Sequence, residues 1–309
     1  MSCAGTNFGT PPAEVEVTVD WVRDLLQSQH PDLANYRLRR IDAGFDNVLF
    51  RLGNHLCVRL PRRQMAAQLI EHEQVWLPRI ASRLAAQPAA RSPIAIPVPQ
   101  RIGLPGQGFP WRWSVLPWLP GKAADLGPIE RSEAARWGHF LRSLHISAPA
   151  GAPKNTYRNC TLAEKAPLLK PRIERLEAIT NLVTEPLKDL WQAAINTPID
   201  LPKTWIHGDL HARNVLVNRG KFLGVIDWGD MTAGDAVTDL ASVWMLFSDR
   251  GAQQQALWAY GEVSAATRQR AKGWAMYIGV SLLDTGLVDN PRHARMGEKI
   301  LRAIAESAE

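Results

Sequence analysis

The sequence predicts an α+β fold in two lobes, a strand-rich N-terminal lobe over residues 1–117 and a mainly helical C-terminal lobe over residues 118–309. Three observations carry that expectation. Residues 36–60 read as short strands separated by turns, residues 129–309 are dominated by helical spacing, and Pro120-Gly121 punctuates the change of character. A cleft between two such lobes is a natural ligand site.

Taken in order, Val17 to Gln27 is the first helix: Val19, Val22, Leu25 and Leu26 share one face, and Thr18 or Asp20 can cap it. Tyr36 to Ile41 alternates, Asp42 to Asn47 turns, and Val48 to Leu52 returns. Gly53-Asn54 is a second turn before a third strand, His55 to Leu60. Gln64 to Leu84 is helical by spacing, and Pro78 inside it predicts a kink or an early end. Val98 to Leu104 and Trp111 to Leu119 form a further hairpin across Pro105-Gly106-Gln107-Gly108. In the second half Ser132 to Ile146, Leu162 to Leu182, Glu185 to Ile195 and Ala236 to Phe247 read as helices, and helices continue to the end. The strong strand signals there are Val215 to Val217 and Leu223 to Ile226, joined by the turn Asn218-Arg219-Gly220-Lys221.

Composition narrows the function classes. A net charge of +6 and a pI near 9.4 invite a nucleic-acid or anionic partner. The distribution weakens that: residues 1–120 carry 13 Arg and no Lys against 9 acids, and the rest carries 23 bases against 21 acids, without like-charge runs. A solvated mixed surface is the better reading, with neither nucleic acid nor membrane as partner. Cys3, Cys57 and Cys160 have no C-x-x-C spacing, so they make neither a disulfide framework nor a zinc site and suit a reducing compartment. No signal-peptide pattern opens the sequence and no apolar run reaches the roughly 18 residues of a membrane span. The expected location is the cytoplasm.

The chemistry is concentrated in Trp205-Ile206-His207-Gly208-Asp209-Leu210-His211-Ala212-Arg213-Asn214, followed thirteen residues later by Asp227 in Ile226-Asp227-Trp228-Gly229-Asp230. Asp209 and Asn214 are five apart, the spacing of the H-R-D-x-x-x-x-N catalytic loop of kinases, and Asp227 stands where D-F-G would follow. A hydroxyl attacking a terminal phosphoryl group must be oriented and must lose its proton, which a carboxylate such as Asp209 can accomplish. Mg²⁺ prefers hard oxygen ligands, and an Asn carbonyl at 214 with a carboxylate at 227 supplies two of them. The hairpin from Val215 to Ile226 turns the chain back between those ligands.

Other classes fit less well. His207 and His211 flank Asp209 as in a metal-hydrolase cluster, but the other six histidines form no second H-x-H or H-x-x-x-H pair. No G-x-x-x-x-G-K-[ST] occurs, since Gly121-Lys122-Ala123 lacks the first glycine and the hydroxyl residue. A nucleotide-binding pseudokinase is disfavoured by the retention of Asp209, Asn214 and Asp227.

These segments, together with Gly234-Asp235-Ala236-Val237-Thr238-Asp239-Leu240-Ala241, resemble the aminoglycoside phosphotransferase family, the kinase-like group that contains antibiotic, choline and homoserine kinases. The resemblance covers nearly the whole chain and implies a bilobal protein-kinase-like fold, ATP (GTP being possible) and Mg²⁺ as cofactors, and a small-molecule hydroxyl as acceptor. It implies that Asp209 is the catalytic base and that Asn214 and Asp227 hold the metal. The turn Ala43-Gly44-Phe45-Asp46-Asn47 resembles the phosphate-covering loop, through Gly44 and Asn47. Arg59 stands where these kinases carry an ATP-phosphate lysine, a departure, because arginine is bulkier and forks onto its partner. Glu73 resembles its helix partner, with Glu71 the second candidate. Ser114-Val115-Leu116-Pro117-Trp118 resembles the hinge that reads the adenine edge; Pro117 lacks an N–H, so the donor is Leu116 or Trp118.

The resemblance also suggests an aminoglycoside-type antibiotic as acceptor, with a macrolide or a metabolic alcohol as the alternative. Polycations prefer an acidic pocket, and the candidates to line one are Asp230, Asp235, Asp284 and Asp289.

Overall fold

The computed structural model describes residues 12–43, 46–86 and 94–306, and within the region expected to form strands residues 47–52 alternate between half-buried and buried. Strands β1 (Leu38–Ala43), β2 (Asn47–Leu52) and β3 (Leu56–Pro61) pair antiparallel in sequence order, Val48 opposite Leu60 and Phe50 opposite Val58. Val48, Phe50 and Leu52 point to one face and pack with Val58 and Leu60 into a core closed by helix α1 (Val19–Gln29). Thr18 caps that helix, its side chain accepting from Trp21 N at 3.2 Å, so the helix begins two residues later than the apolar spacing suggests.

Of the kink or early end expected at Pro78, the early end does not occur: helix α2 (Gln64–Ala85) continues past the proline. Leu77 and Ile80, on either side of the proline, are both buried. Tertiary burial on each side outweighs the single backbone hydrogen bond that proline removes. Strands β4 (Arg101–Gly103) and β5 (Trp113–Pro117) complete a five-stranded sheet in the order β1-β2-β3-β5-β4. A Cβ on Gly103 would fall 1.8 Å from Trp113 Cε2, so the indole of Trp113 occupies the space that any other side chain there would need.

Contacts gather residues 12–121 and 223–229 into one unit and residues 122–222 and 230–306 into another. The second unit is built mainly from helices: α3 (Ala134–Leu144), α4 (Leu162–Ile179), α5 (Glu185–Asn196), α6 (Val237–Leu240), α7 (Ser242–Leu246), α8 (Arg250–Tyr260), α9 (Ala265–Asp289) and α10 (Pro291–Glu306). Helix α9 is buried along most of its length, from Thr267 to Gly286, and α4, α5, α6 and α10 pack around it. Gly138 of α3 meets α8 at a distance only glycine permits, since its Cβ would lie 2.1 Å from Ala256 O. A capping box between Thr161 and Glu164 starts α4, which continues through Pro167 and Pro171.

The expected hairpin is present as β8 (Val215–Asn218) and β9 (Lys221–Val225), with β6 (Lys122–Ala123) paired to β8. Besides β6, two short strands were not foreseen. β7 (Thr204–Ile206) and β10 (Thr232–Gly234) pair antiparallel, Thr232 opposite Ile206, and three residues are too few to show a period of two. They matter because β7 leads into His207 and β10 follows Asp230. Among the described residues no helix is long and apolar enough to cross a membrane.

Candidate active site

The loop after β7 is fixed by its backbone before its side chains act. Gly208 has φ +87°, and a Cβ there would come within 3.0 Å of Asp230 O and 3.1 Å of Arg158 Cγ. The two N–H groups at this turn, His207 and Gly208, donate to the two oxygens of Asp239 at 2.6 and 2.8 Å. Asp239 is fully buried on α6 and also meets His145 Nε2 at 3.3 Å; His145 Nδ1 in turn meets Tyr260 OH at 3.0 Å. His207 is fully buried and its Nδ1 accepts from Asp209 N–H at 3.2 Å, which makes it a brace of the loop. Asn214 ends a single 3₁₀ turn, Ala212–Asn214. Its Nδ2 donates to Asp209 O at 2.9 Å and to Asp209 Oδ2 at 3.2 Å, so its amide oxygen is left to face a ligand.

The Asp209 carboxylate is shared with a residue that sequence reasoning missed. Arg158 Nη2 lies 2.8 Å from Asp209 Oδ1 and 2.8 Å from Asp230 Oδ2, and its Nε donates to Asp230 Oδ2 at 3.0 Å. Asn155 Nδ2 holds the other oxygen of Asp230 at 2.8 Å. Burial alone pushes the Asp209 carboxyl up, but Arg158, then His211 and His207, and the Asn214 hydrogen bond outweigh it and hold Asp209 below the usual carboxylate range. The group is thus kept ionised and aimed. Arg158 lies 51 positions upstream of Asp209 in an irregular segment, where no short-range pattern marks it.

Asp227 is positioned by the other unit. β9 is clamped there by two backbone bonds, Ala95 N–H to Leu223 O and Val225 N–H to Ala95 O, both 2.9 Å. Gly224 makes that approach possible, since a Cβ would sit 2.9 Å from Ala95 O. Trp228 is fully buried and donates from Nε1 to Val225 O at 2.9 Å. Between these anchors Asp227 adopts φ +63°, a left-handed conformation that Asp tolerates better than most residues, and its side chain is 53% exposed.

Arg59, buried on β3, gathers three partners. It bonds Glu73 Oε2 at 2.5 Å, it pairs with Asp227 Oδ1, and Asn47 Oδ1 accepts from its Nη2 at 2.8 Å and its Nε at 3.1 Å. Glu73 is buried on α2, whereas Glu71, the second candidate, is exposed. Burial works against the Arg59 cation, yet Glu73 and Asp227 more than compensate and push its pKa above the ordinary arginine value. Removing one member of a buried pair leaves an uncompensated charge. Glu73→Ala is therefore expected to lower unfolding free energy by about 3 kcal/mol, read by urea titration, with Glu73→Gln recovering part of it. A loss within the error of the titration would show that Asn47 and Asp227 suffice to hold Arg59.

The remaining expected residues divide. Leu116 lies inside β5 opposite Cys57, with a buried side chain. Trp118 N–H already donates to His55 O at 2.7 Å, which takes it out of the pair of expected adenine donors; its ring carries the Arg51 guanidinium 4.1 Å above it. Gly44 lies outside the described residues. Each unit offers one hard oxygen donor, taken by itself. Asn214 offers an amide oxygen, and Asp227 offers the carboxylate oxygen that Arg59 does not take. Among the described residues, no three or more His, Cys, Asp and Glu side chains gather as a metal-binding group.

Comparison with known proteins places this geometry. Solved structures share the fold across nearly the whole chain. Aminoglycoside 2'-phosphotransferase-IIIa in its GDP complex is 20% identical, covers 94% of this chain and 100% of its own, and superposes with a TM-score of 0.69. Spectinomycin phosphotransferase in complex with ADP and spectinomycin is 13% identical over 96% of this chain and 100% of its own, TM-score 0.62. Macrolide 2'-phosphotransferase from Brachybacterium faecium, as apoenzyme, is 19% identical over 92% and 97%, TM-score 0.59. No curated protein sequence matches. The model of the phosphotransferase enzyme family matches residues 37–274, a span that includes Arg59, Glu73, Arg158, Asp209, Asn214 and Asp227. With the family's segment running through both units and every residue of the site inside it, the chain belongs to the phosphotransferase enzyme family.

Proposed function

We propose that the protein transfers the γ-phosphoryl group of ATP, with GTP as the alternative donor, to a hydroxyl of a small molecule. The observation that carries this reading is the lock between Asp209 and Asn214. One amide donates to the carboxylate and to its backbone carbonyl, and so turns its oxygen outward beside a carboxylate held ionised by Arg158. In this reading Asp209 orients the acceptor hydroxyl and takes its proton as the new O–P bond forms and the bond to the nucleoside diphosphate breaks. Asn214 and Asp227 would hold Mg²⁺, which would neutralise charge on the phosphates. Arg59, braced by Glu73 and Asn47, would contact the phosphates, and residues 12–121 with 223–229 would form the nucleotide-binding part. Residues 122–222 with 230–306 would carry the base and the acceptor site.

The relatives' names suggest an aminoglycoside-type antibiotic as acceptor, with a macrolide or a metabolic alcohol as the alternative. The test is incubation with Mg²⁺ and γ-labelled ATP or GTP across a panel of hydroxylated antibiotics and metabolites. Label transferred to an acceptor is the expected result. A protein that binds neither nucleotide would end the kinase reading.

A further inference from the structure

Three of the four carboxylates that could line a pocket for a polycationic acceptor are already committed to arginines. Asp230 is held by Arg158 and Asn155. Asp235 is paired with Arg270. Asp284, fully buried on α9, is gripped by Arg172 at 2.7 Å and by Arg175 Nε at 2.6 Å, both from α4. The segment that reaches Asp209 is itself free of acids. From Ser147 to Ala163 the chain has no Asp or Glu, while it carries Lys154 and Arg158.

Two residues beyond that stretch, after Glu164, stands Lys165, a cation with no carboxylate of its own. Lys165 is 3% exposed, and among the described residues no Asp or Glu lies within ion-pair reach of it. Its Nζ lies 3.3 Å from the ring centroid of Tyr157 and 5.5 Å from that of Tyr277, with the Cys160 thiol alongside. The two tyrosine hydroxyls bond each other at 2.9 Å, and Arg158 lies 5.2 Å from the Tyr157 ring. Contacts therefore run from Asp209 through Arg158 and Tyr157 to Lys165. Ring faces compensate a buried ammonium only in part. Burial accordingly pushes its pKa down. Tyr157, which covers Lys165, is 52% exposed, so the tyrosine side of this cluster meets solvent while Lys165 lies beneath it.

We propose that the acceptor is an anionic hydroxyl compound whose carboxylate or phosphate is received by Lys165 beside Tyr157, while its hydroxyl lies against Asp209. An ammonium group in the same place would face Arg158 and Lys165 with every nearby carboxylate already spoken for. This rests on the kinase reading, so nucleotide binding in the absence of acceptor is measured first. A protein that binds no nucleotide overturns both.

The probes are four six-carbon compounds that differ chiefly in charge: glucosamine, glucose, gluconate and glucose 6-phosphate, with kanamycin as the polycation. Affinity for each in the presence of ADP and phosphoryl transfer from ATP are both read. A charge-assisted contact predicts that gluconate or glucose 6-phosphate is favoured over glucose by about tenfold or more, and glucosamine and kanamycin are disfavoured. The better of the two anions tells carboxylate from phosphate. Lys165→Met should bring the anions to within about threefold of glucose, and Lys165→Arg should keep most of the preference. The melting temperature of each variant shows that it folds; where Lys165→Met does not, Lys165→Gln replaces it. Nucleotide binding with glucosamine or kanamycin equal to or better than the anions overturns the inference and leaves the kinase standing. So does a series with no charge order, including one in which no probe responds.

Discussion

Asp209→Ala is expected to lower kcat by about 10²–10⁴ while nucleotide affinity changes little, because the substitution removes the proposed base and leaves the rest of its loop in place. The loop is held by groups that alanine does not touch. Asp239 fixes the N–H groups of His207 and Gly208, and Asn214 keeps its bond to the backbone carbonyl of residue 209. Arg158 loses one carboxylate but retains Asp230, so no isolated buried charge is created. Asp209→Asn is the sharper comparison. It preserves the shape and an acceptor for Arg158 yet cannot take a proton, and it should be nearly as slow as the alanine variant. Single-turnover rates with a phosphorylated acceptor, beside nucleotide titrations and melting curves, read the effect. A variant that keeps more than about a tenth of the wild-type rate would remove Asp209 from the role of base.

The contrast between Asp209 and Arg158 shows what kind of information a sequence holds. Asp209 and Asn214 share one short loop and Asp227 follows a hairpin, so their spacing along the chain exposes all three. Arg158 reaches the same carboxylate across a separation no local period can encode. The acids behave alike. Asp230, Asp235 and Asp284, three of the four acids that could line a pocket, were legible as acids, but their arginine partners stand 72, 35 and 112 positions away and close them into ion pairs. The fold divides on the same line. Strands β1 to β3 and the amphipathic helices announce themselves by repetition, whereas β7 and β10, three residues each, exist only because they meet each other. Pro78 failed as a stop signal because the burial of Leu77 and Ile80 is decided by tertiary packing. Glu73 is separable from Glu71 by its place on the buried face of α2 with Ile70 and Leu77, a distinction the helical period does contain.

Asp227→Ala is expected to abolish Mg²⁺-dependent turnover with little change in stability. Asp227 is more than half exposed and sits at φ +63°. Its removal therefore opens no cavity, and alanine at that backbone angle costs on the order of 1 kcal/mol. Arg59, its partner, keeps Glu73 and Asn47, so the buried pair survives; this is the reverse of Glu73→Ala, where the buried member is the one deleted. Asp227→Asn separates charge from geometry. Asparagine tolerates the left-handed backbone and still offers an oxygen, so turnover should return only at higher Mg²⁺, whereas alanine should not be rescued at any concentration. A Mg²⁺ titration of the phosphoryl-transfer rate decides between these outcomes, with thermal melts alongside. An alanine variant with the wild-type Mg²⁺ dependence would mean that the Asp227 carboxylate serves only to hold Arg59.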